Sequence, residues 1–256
     1  MKIERKRVAI VITGHLRTFK LHFKDFQKNI LNHHDCDLYL STWDWNHIGP
    51  MAGANLVRFE HDKILKELEI YPNVKKITIS PYNKINHECD QYVKNYGEFG
   101  TCPDPLYKKY IGGRTERKTM PYNAGQWYPV QEGFNSIENP AQYDVLMRTR
   151  FDIVHYKPIN FLPYPIVACH PGPNYRPGTS IKQTSLYTIK NHVFYGTTYM
   201  AHLMKDIFTK NLEITCKFND LATDSLLEYL LRNNDANYEL QIDMNLQEAV
   251  HYGVWK

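Results

Sequence analysis

Arg7-Val-Ala-Ile-Val-Ile-Thr13, followed at once by Gly14, is the stretch that decides the fold class. Its apolar, β-branched residues run without alternation, as in a strand that is buried on both faces of a parallel sheet. Apolar residues then recur at helical spacing between Phe23 and Ile30, and Asp37–Thr42 is again strand-like. We therefore expect the chain to begin with a strand, a helix and a second strand of an α/β sheet.

The same succession of patterns continues toward the middle of the chain. A helical pattern covers Ile64–Leu68, a strand pattern covers Lys76–Ser80, a second helical pattern runs from Trp127 to Ile137, and Tyr143–Met147 is typical of a central strand. Strands and helices in this order connect through right-handed crossovers. The pattern predicts a Rossmann-like α/β fold, a mostly parallel sheet flanked by helices, in a single domain over residues 1–256.

The remaining segments are less regular. Strands are expected at Pro165–Cys169 and His192–Tyr195, and helices at Met200–Phe208 and Leu226–Leu231. Periodicity fails between residues 81 and 122, which are rich in Tyr, Lys, Asn, Gly and Pro. Structureless loops of this length are uncommon in compact domains, so we expect an irregular insertion or a substrate lid there.

Composition excludes several classes of partner. The 31 Lys and Arg residues outnumber the 27 Asp and Glu residues by only four, and they are spread along the chain, which argues against a nucleic-acid-binding protein. No apolar run approaches the ~20 residues that cross a bilayer, so no membrane span is expected. The five cysteines are odd in number and widely spaced, which fits a reducing, cytoplasmic location.

The first candidate binding segment lies where the first strand ends, and it contains Thr13, Gly14, Arg17 and Thr18. Ligands of open α/β sheets lie outside the carboxyl ends of the strands, where a following helix offers N–H groups to an anion. Arg17 would add a bidentate contact to phosphate. The other interpretation is a tight turn with a solvated arginine. The segment matches neither a Walker loop nor the Gly-x-Gly-x-x-Gly fingerprint.

The second candidate segment contains Arg148, Arg150 and Asp152, which we expect directly after the strand at residues 143–147. Two arginines suit a diphosphate, and Asp152 is the leading candidate ligand for a divalent cation that bridges the phosphates. In the structural alternative, strand alternation places both arginines on one face, where they pair with Asp144 or Asp152.

Asp224 is the third candidate, at the start of the apolar helix that contains Leu226–Leu231. A carboxylate there could accept the proton of an acceptor hydroxyl if it faces a cleft. The alternative is support of the helix start, where an acidic residue in the first turn complements the helix dipole.

Together these segments resemble a known family. Val8–Phe19, Asp37–Asp44 and Tyr143–Asp152 are similar to GT-A-type glycosyltransferases of the WavE-like polysaccharide-synthesis group, which bacteria and large DNA viruses encode. The resemblance continues through His192–Gly196 to the helix that opens at Asp224, and therefore spans most of the chain. Only the first and third segments are distinctive.

The resemblance implies a nucleotide-sugar donor at the carboxyl edge of the sheet and a glycan acceptor. The Arg-x-Arg-x-Asp segment stands where other GT-A enzymes have Asp-x-Asp, so Asp152 alone remains to hold a divalent cation, Mn²⁺ or Mg²⁺. We expect Gly14, Arg17 and Thr18 to hold the donor, Asp152 and the cation to neutralise the leaving diphosphate, and Asp224 to deprotonate the acceptor with inversion. Retention stays open.

Two other functions remain as alternatives. A sugar nucleotidyltransferase would use a similar sheet edge and cation, but it usually has a Gly-rich loop of which Gly14–Arg17 is a poor version. A non-catalytic carbohydrate-binding module would suit the 19 tyrosines and 11 phenylalanines, which favour stacking on sugars.

Overall fold

The computed structural model describes residues 3–16, 19–48, 55–58, 60–81, 84, 87–88, 125–171, 189–218, 238–240 and 246–248. Its strands are β1 (Arg7–Thr13), β2 (Asp35–Trp43), β3 (Trp45–Ile48), β4 (Asn55–Arg58), β5 (Val74–Ser80), β6 (Val145–Arg150), β7 (Ile153–His155), β8 (Ile166–Pro171), β9 (Ile189–Gly196), β10 (Tyr238–Leu240) and β11 (Leu246–Glu248). Its α-helices are α1 (Phe19–Phe26), α2 (His61–Leu68), α3 (Trp127–Asn135), α4 (Tyr199–Met204) and α5 (Ile207–Phe218).

Seven strands form the main sheet in the order β10-β8-β9-β6-β1-β2-β5. The pairs β5–β2, β2–β1, β1–β6 and β8–β10 are parallel, and only β9 runs antiparallel to its neighbours β6 and β8. Two small antiparallel sheets pair β3 with β4 and β7 with β11. The expected mostly parallel α/β sheet is thereby confirmed.

Helices cover both faces of the sheet. On one face, side chains of α1 and α2 join a buried core with alternate residues of β1, β2 and β6, among them Ile10, Leu38 and Met147. On the other face, α3 packs so closely on β1 that a Cβ at Gly133 would overlap the side chain of Val11. Both faces of β1 are therefore buried, which explains its continuous apolar sequence.

The structure differs from the expected elements in several places. β6 continues through Arg148 to Arg150, whereas the pattern placed these residues after the strand. The helical pattern at 200–208 is two helices, and α1 continues as a π-helical turn over Gln27–Leu31. The β3–β4 hairpin was not predicted. The helix at 226–231 and nearly all of the 81–122 segment lie outside the described residues.

Candidate functional site

The carboxyl ends of β1, β2 and β6 meet at one edge of the sheet. In the parallel register Thr13 is opposite Ser41 of β2 on one side and opposite Arg150 of β6 on the other. β2 follows β1 in the sequence and lies on one side of it in the sheet, whereas the later strand β6 lies on the other side. The strand order therefore reverses at β1. Such a switch point is the usual ligand crevice of open α/β sheets, and the two strand-end segments predicted from the sequence meet there.

Gly14 turns the chain away from β1 in a conformation that favours glycine, with φ of +107°. Its N–H donates to the carbonyl of Ser41 (3.2 Å), and its carbonyl accepts from the Thr42 hydroxyl (2.8 Å). A Cβ at this position would meet no heavy atom within 4 Å. The Gly14 N–H is therefore already bonded to β2. What Gly14 would offer a ligand is space, because its missing side chain leaves room for a close approach to the backbone.

The start of α1 is described only from Phe19 onward. The Phe19 N–H donates to the carbonyl of Leu16 (2.9 Å), and both side chains are buried in the core. Arg17 and Thr18, which were predicted to bind the donor phosphates, lie outside the described residues. Their assignment stays a prediction.

Arg148 is a buried cation beneath this edge of the sheet, and only 2% of the residue is exposed. Its Nε donates to the Thr13 hydroxyl (3.2 Å), and its guanidinium lies 5.7 Å from the ring centre of Phe194. The expectation that Arg148 and Arg150 follow the strand is wrong, because β6 continues to pair with β1 through Arg150. A buried positive charge in this position raises the electrostatic potential of the crevice above it.

Arg150 and Asp152 form a two-pronged ion pair. Arg150 Nε donates to Asp152 Oδ1 at 2.8 Å, and Nη2 donates to Oδ2 at 2.5 Å. The side chains are 16% and 5% exposed, respectively. This is the pairing that the structural alternative described for Asp152. The guanidinium predicted to bind phosphate and the carboxylate predicted to bind a cation therefore contact each other.

Asp152 also has a small effect on a histidine of α1. The pKa of His22 is lowered because burial outweighs the opposing effect of the negative charges of Asp25 and Asp152. No group of three or more Asp, Glu, His or Cys side chains gathers around a common point within the described ranges. Asp152 is therefore not part of a cluster of three or more such side chains within those ranges.

Two further residues lie at and just after the end of β2. Trp43 is 4% exposed, and its ring centre lies 5.5 Å from that of Tyr128. Asp44 was not singled out, although it is a buried acid whose N–H donates to the carbonyl of Ser80 (3.1 Å) at the end of β5. An acidic residue directly after a buried strand was the signal that could have identified it.

A lysine lies just beyond the carboxyl end of β5. Lys84 Nζ donates to the Tyr128 hydroxyl (2.7 Å) and lies 3.6 Å from Glu88. The hydrogen bond to Tyr128 raises the pKa of Lys84, and burial raises the pKa of Tyr128. Among the described residues, this edge of the sheet therefore carries the cationic side chain of Lys84 in addition to those of Arg148 and Arg150.

Asp224, the predicted general base, lies outside the described residues. His192, which opens the His192–Gly196 segment of the resemblance, is buried in β9.

Comparison with known proteins identifies no relative: no protein-family model matches the chain, and no curated protein matches it at an accepted level of significance. None of the helices in the described part of the chain has the length and apolar character to cross a membrane.

Proposed function

We propose that this protein is a GT-A-like glycosyltransferase that moves a sugar from a nucleotide-sugar donor to a glycan acceptor, with the donor at the carboxyl edge of β1, β2 and β6. One observation carries the proposal. Thr13 and Gly14, at the end of β1, lie at the switch point together with Arg148, Arg150 and Asp152, more than 130 residues later in the chain.

Donor binding in this proposal exchanges the partners of the Arg150–Asp152 pair. The guanidinium would turn from the Asp152 carboxylate to the donor diphosphate, with which it can form the same two-pronged hydrogen bonds. The released carboxylate would become a ligand for the divalent cation. Each charged side chain then keeps an oppositely charged partner, so the exchange leaves neither charge unpaired in a largely buried place.

Asp152 fits a cation site of the kind found with nucleotides. Mg²⁺ is commonly held by one or two carboxylates together with substrate phosphates and water, so a single protein carboxylate is compatible with such a site. A divalent cation, Mn²⁺ or Mg²⁺, would neutralise the negative charge that develops on the leaving diphosphate. Arg148, held beneath the edge by Thr13, adds fixed positive charge for the same purpose.

Asp224 remains the proposed general base for the acceptor hydroxyl, in an inverting transfer. Among the residues described at the switch point, Arg148 and Arg150 supply positive charge and hydrogen-bond donors. Acceleration would therefore come mainly from positioning and from stabilisation of the leaving group.

A thermal-shift panel of sugar nucleotides, with and without Mn²⁺, tests the proposal. A ligand that binds only the native state at about 100 times its Kd adds about 2.7 kcal/mol, which corresponds to roughly 5–10 °C for a chain of this size. We expect one class of sugar nucleotide to give such a shift, and to give a larger shift with Mn²⁺.

Product analysis then separates the alternatives. Release of nucleoside diphosphate from the bound sugar nucleotide supports glycosyl transfer, whereas release of pyrophosphate in the presence of sugar phosphate and nucleoside triphosphate supports a nucleotidyltransferase. Glycan binding without affinity for any sugar nucleotide would overturn the proposed activity in favour of a binding module.

A further inference from the structure

Three polar side chains are buried together beneath the strand end that carries the Arg150–Asp152 pair. The Thr149 hydroxyl and His155 Nε2 are hydrogen-bonded at 3.0 Å, and the Asn29 amide donates to the backbone carbonyl of His155 at 2.6 Å. Thr149 and His155 are each 1% exposed, and Asn29 is 6% exposed. The Asn29 contact joins two segments that are 126 residues apart in the sequence, whereas Thr149 and His155 are six residues apart.

Asn29 reaches this position from a π-helical turn. After α1 the backbone widens over Gln27–Leu31, and the Asn32 N–H donates to the carbonyl of Gln27 (3.0 Å), five residues earlier. Asn29, Ile30 and Leu31 are consecutive and all buried. The Asn29 amide therefore enters the buried layer that also contains Thr149 and His155. Single π turns inside helices are uncommon and occur frequently at functional sites.

The two contacts close the base of a turn. Thr149 directly precedes Arg150, and His155 follows Asp152 by three residues, so the hydrogen bond between them joins β6 to β7 across the segment that holds the ion pair. Thr149 alternates with Arg148 and Arg150 along β6 and faces the layer of α1. On that side the ring of His155 packs 5.5 Å from the ring of Phe26. The turn is thus held from the side opposite to Arg150.

We propose that Asn29, Thr149 and His155 form a clamp that positions Arg150 and Asp152 for the donor diphosphate and its cation. The proposal rests on the proposed function and adds three positioning residues to it. It explains why a hydroxyl is present where packing does not need one: valine has almost the shape of threonine and suits a buried strand equally well. Burying the hydroxyl is worthwhile only through the bond to His155.

Thr149→Val removes this hydrogen bond and keeps the side-chain shape, while Thr149→Ser keeps the hydroxyl. A matched control is Tyr143→Phe, because the buried Tyr143 hydroxyl bonds to Tyr39 (3.0 Å) and Asp37 (2.8 Å) at the amino ends of the strands. That end lies roughly 20 Å from the site, given the rise of about 3.3 Å per residue along β1.

The measurement is calorimetric binding of UDP, GDP, ADP, CDP and dTDP in the presence of Mn²⁺, well below each variant's unfolding temperature. For the nucleoside diphosphate that the wild type binds, we expect Thr149→Val to raise the Kd about five- to tenfold, the effect of losing roughly one hydrogen bond. Thr149→Ser should restore the Kd to within about twofold of the wild type, and Tyr143→Phe should leave it unchanged although it lowers the melting temperature. If Thr149→Val does not fold, Thr149→Cys replaces it, because a thiol is a weak hydrogen-bonding group of similar size.

The outcomes separate the two proposals. If the wild type binds a nucleoside diphosphate and Thr149→Val binds it equally well, the clamp is overturned and the proposed function stands. A reduced melting temperature at unchanged Kd also overturns the clamp, because a purely structural role predicts it. If the wild type binds none of the five ligands with Mn²⁺, the proposed function and the clamp are both overturned.

Discussion

Asp152→Asn is the most informative substitution, because the ion pair and the proposed cation site predict separate effects for it. Asparagine keeps the size of the side chain and one oxygen that can accept a hydrogen bond from Arg150. It removes the negative charge that both the guanidinium and a divalent cation would use. We therefore expect a moderate loss of stability together with a loss of metal-assisted donor binding.

The size of the stability loss follows from the exposure of the pair. Removing one partner of a fully buried ion pair costs about 3–5 kcal/mol, and exposed pairs contribute about 0–1 kcal/mol. The Arg150 side chain is 16% exposed and that of Asp152 is 5% exposed, so the pair lies between these limits. We expect a loss of about 1–3 kcal/mol, which corresponds to a fall in melting temperature of roughly 2–12 °C for a chain of this size.

The assay compares the Kd of the bound nucleoside diphosphate with and without Mn²⁺. We expect Mn²⁺ to strengthen binding to the wild type and to leave binding to Asp152→Asn unchanged. Asp144→Asn is the matched control, since Asp144 is exposed and accepts a hydrogen bond from the Arg7 N–H (2.8 Å) at the other end of the sheet. The same Mn²⁺-dependent gain in wild type and Asp152→Asn would refute the reasoning and would leave Asp152 a structural partner of Arg150.

Three further predictions test other parts of the molecule. Gly196→Ala should destabilise the protein by about 2–3 kcal/mol in urea unfolding, because the added Cβ would overlap the backbone carbonyl of Pro165; an unchanged midpoint would contradict the packing of β9 on β8. Burial lowers the pKa of His34, so the native state binds its proton less readily than the unfolded state does, and stability should fall as the pH drops below about 6.5. His34→Gln should flatten this acid-side loss, while the exposed His61→Gln should not. Asp224→Asn should retain donor binding while turnover falls by ~10²–10⁴ if Asp224 is the general base, and near-normal turnover with saturating donor and acceptor would reject that role.

Much of the fold could be predicted because buried strands and helices have characteristic patterns of apolar residues in the sequence. The unbroken apolar run of β1 matches a strand that is covered by α1 and α2 on one face and by α3 on the other. The direction of β9 could not be predicted in this way, since a buried strand has the same apolar pattern whether its neighbours are parallel or antiparallel. Its pairing with β6 and β8 decides the direction.

The end of β6 shows where local pattern fails. Arg148 and Thr149 are polar residue types, and the apolar pattern therefore ended at Met147. In the structure both are buried, because Arg148 bonds to Thr13 and Thr149 bonds to His155. Residue type alone does not identify these partners, of which Thr13 is 135 residues from Arg148 and His155 is six residues from Thr149. Such partners determine whether a polar side chain can be buried within a strand.

By itself the sequence determined which chemical groups stand at the strand ends: a glycine after β1, and two arginines and an aspartate at and just after the end of β6. Only the tertiary structure decided how these groups are used. It directs the Gly14 amide to Ser41, places Arg148 beneath the edge and pairs Arg150 with Asp152. The reason is geometric: a hydrogen bond or ion pair forms only when the distance between its atoms is correct to within a few tenths of an ångström. Across strands 28 to 135 residues apart, the register of the sheet and the packing of its helices set those distances.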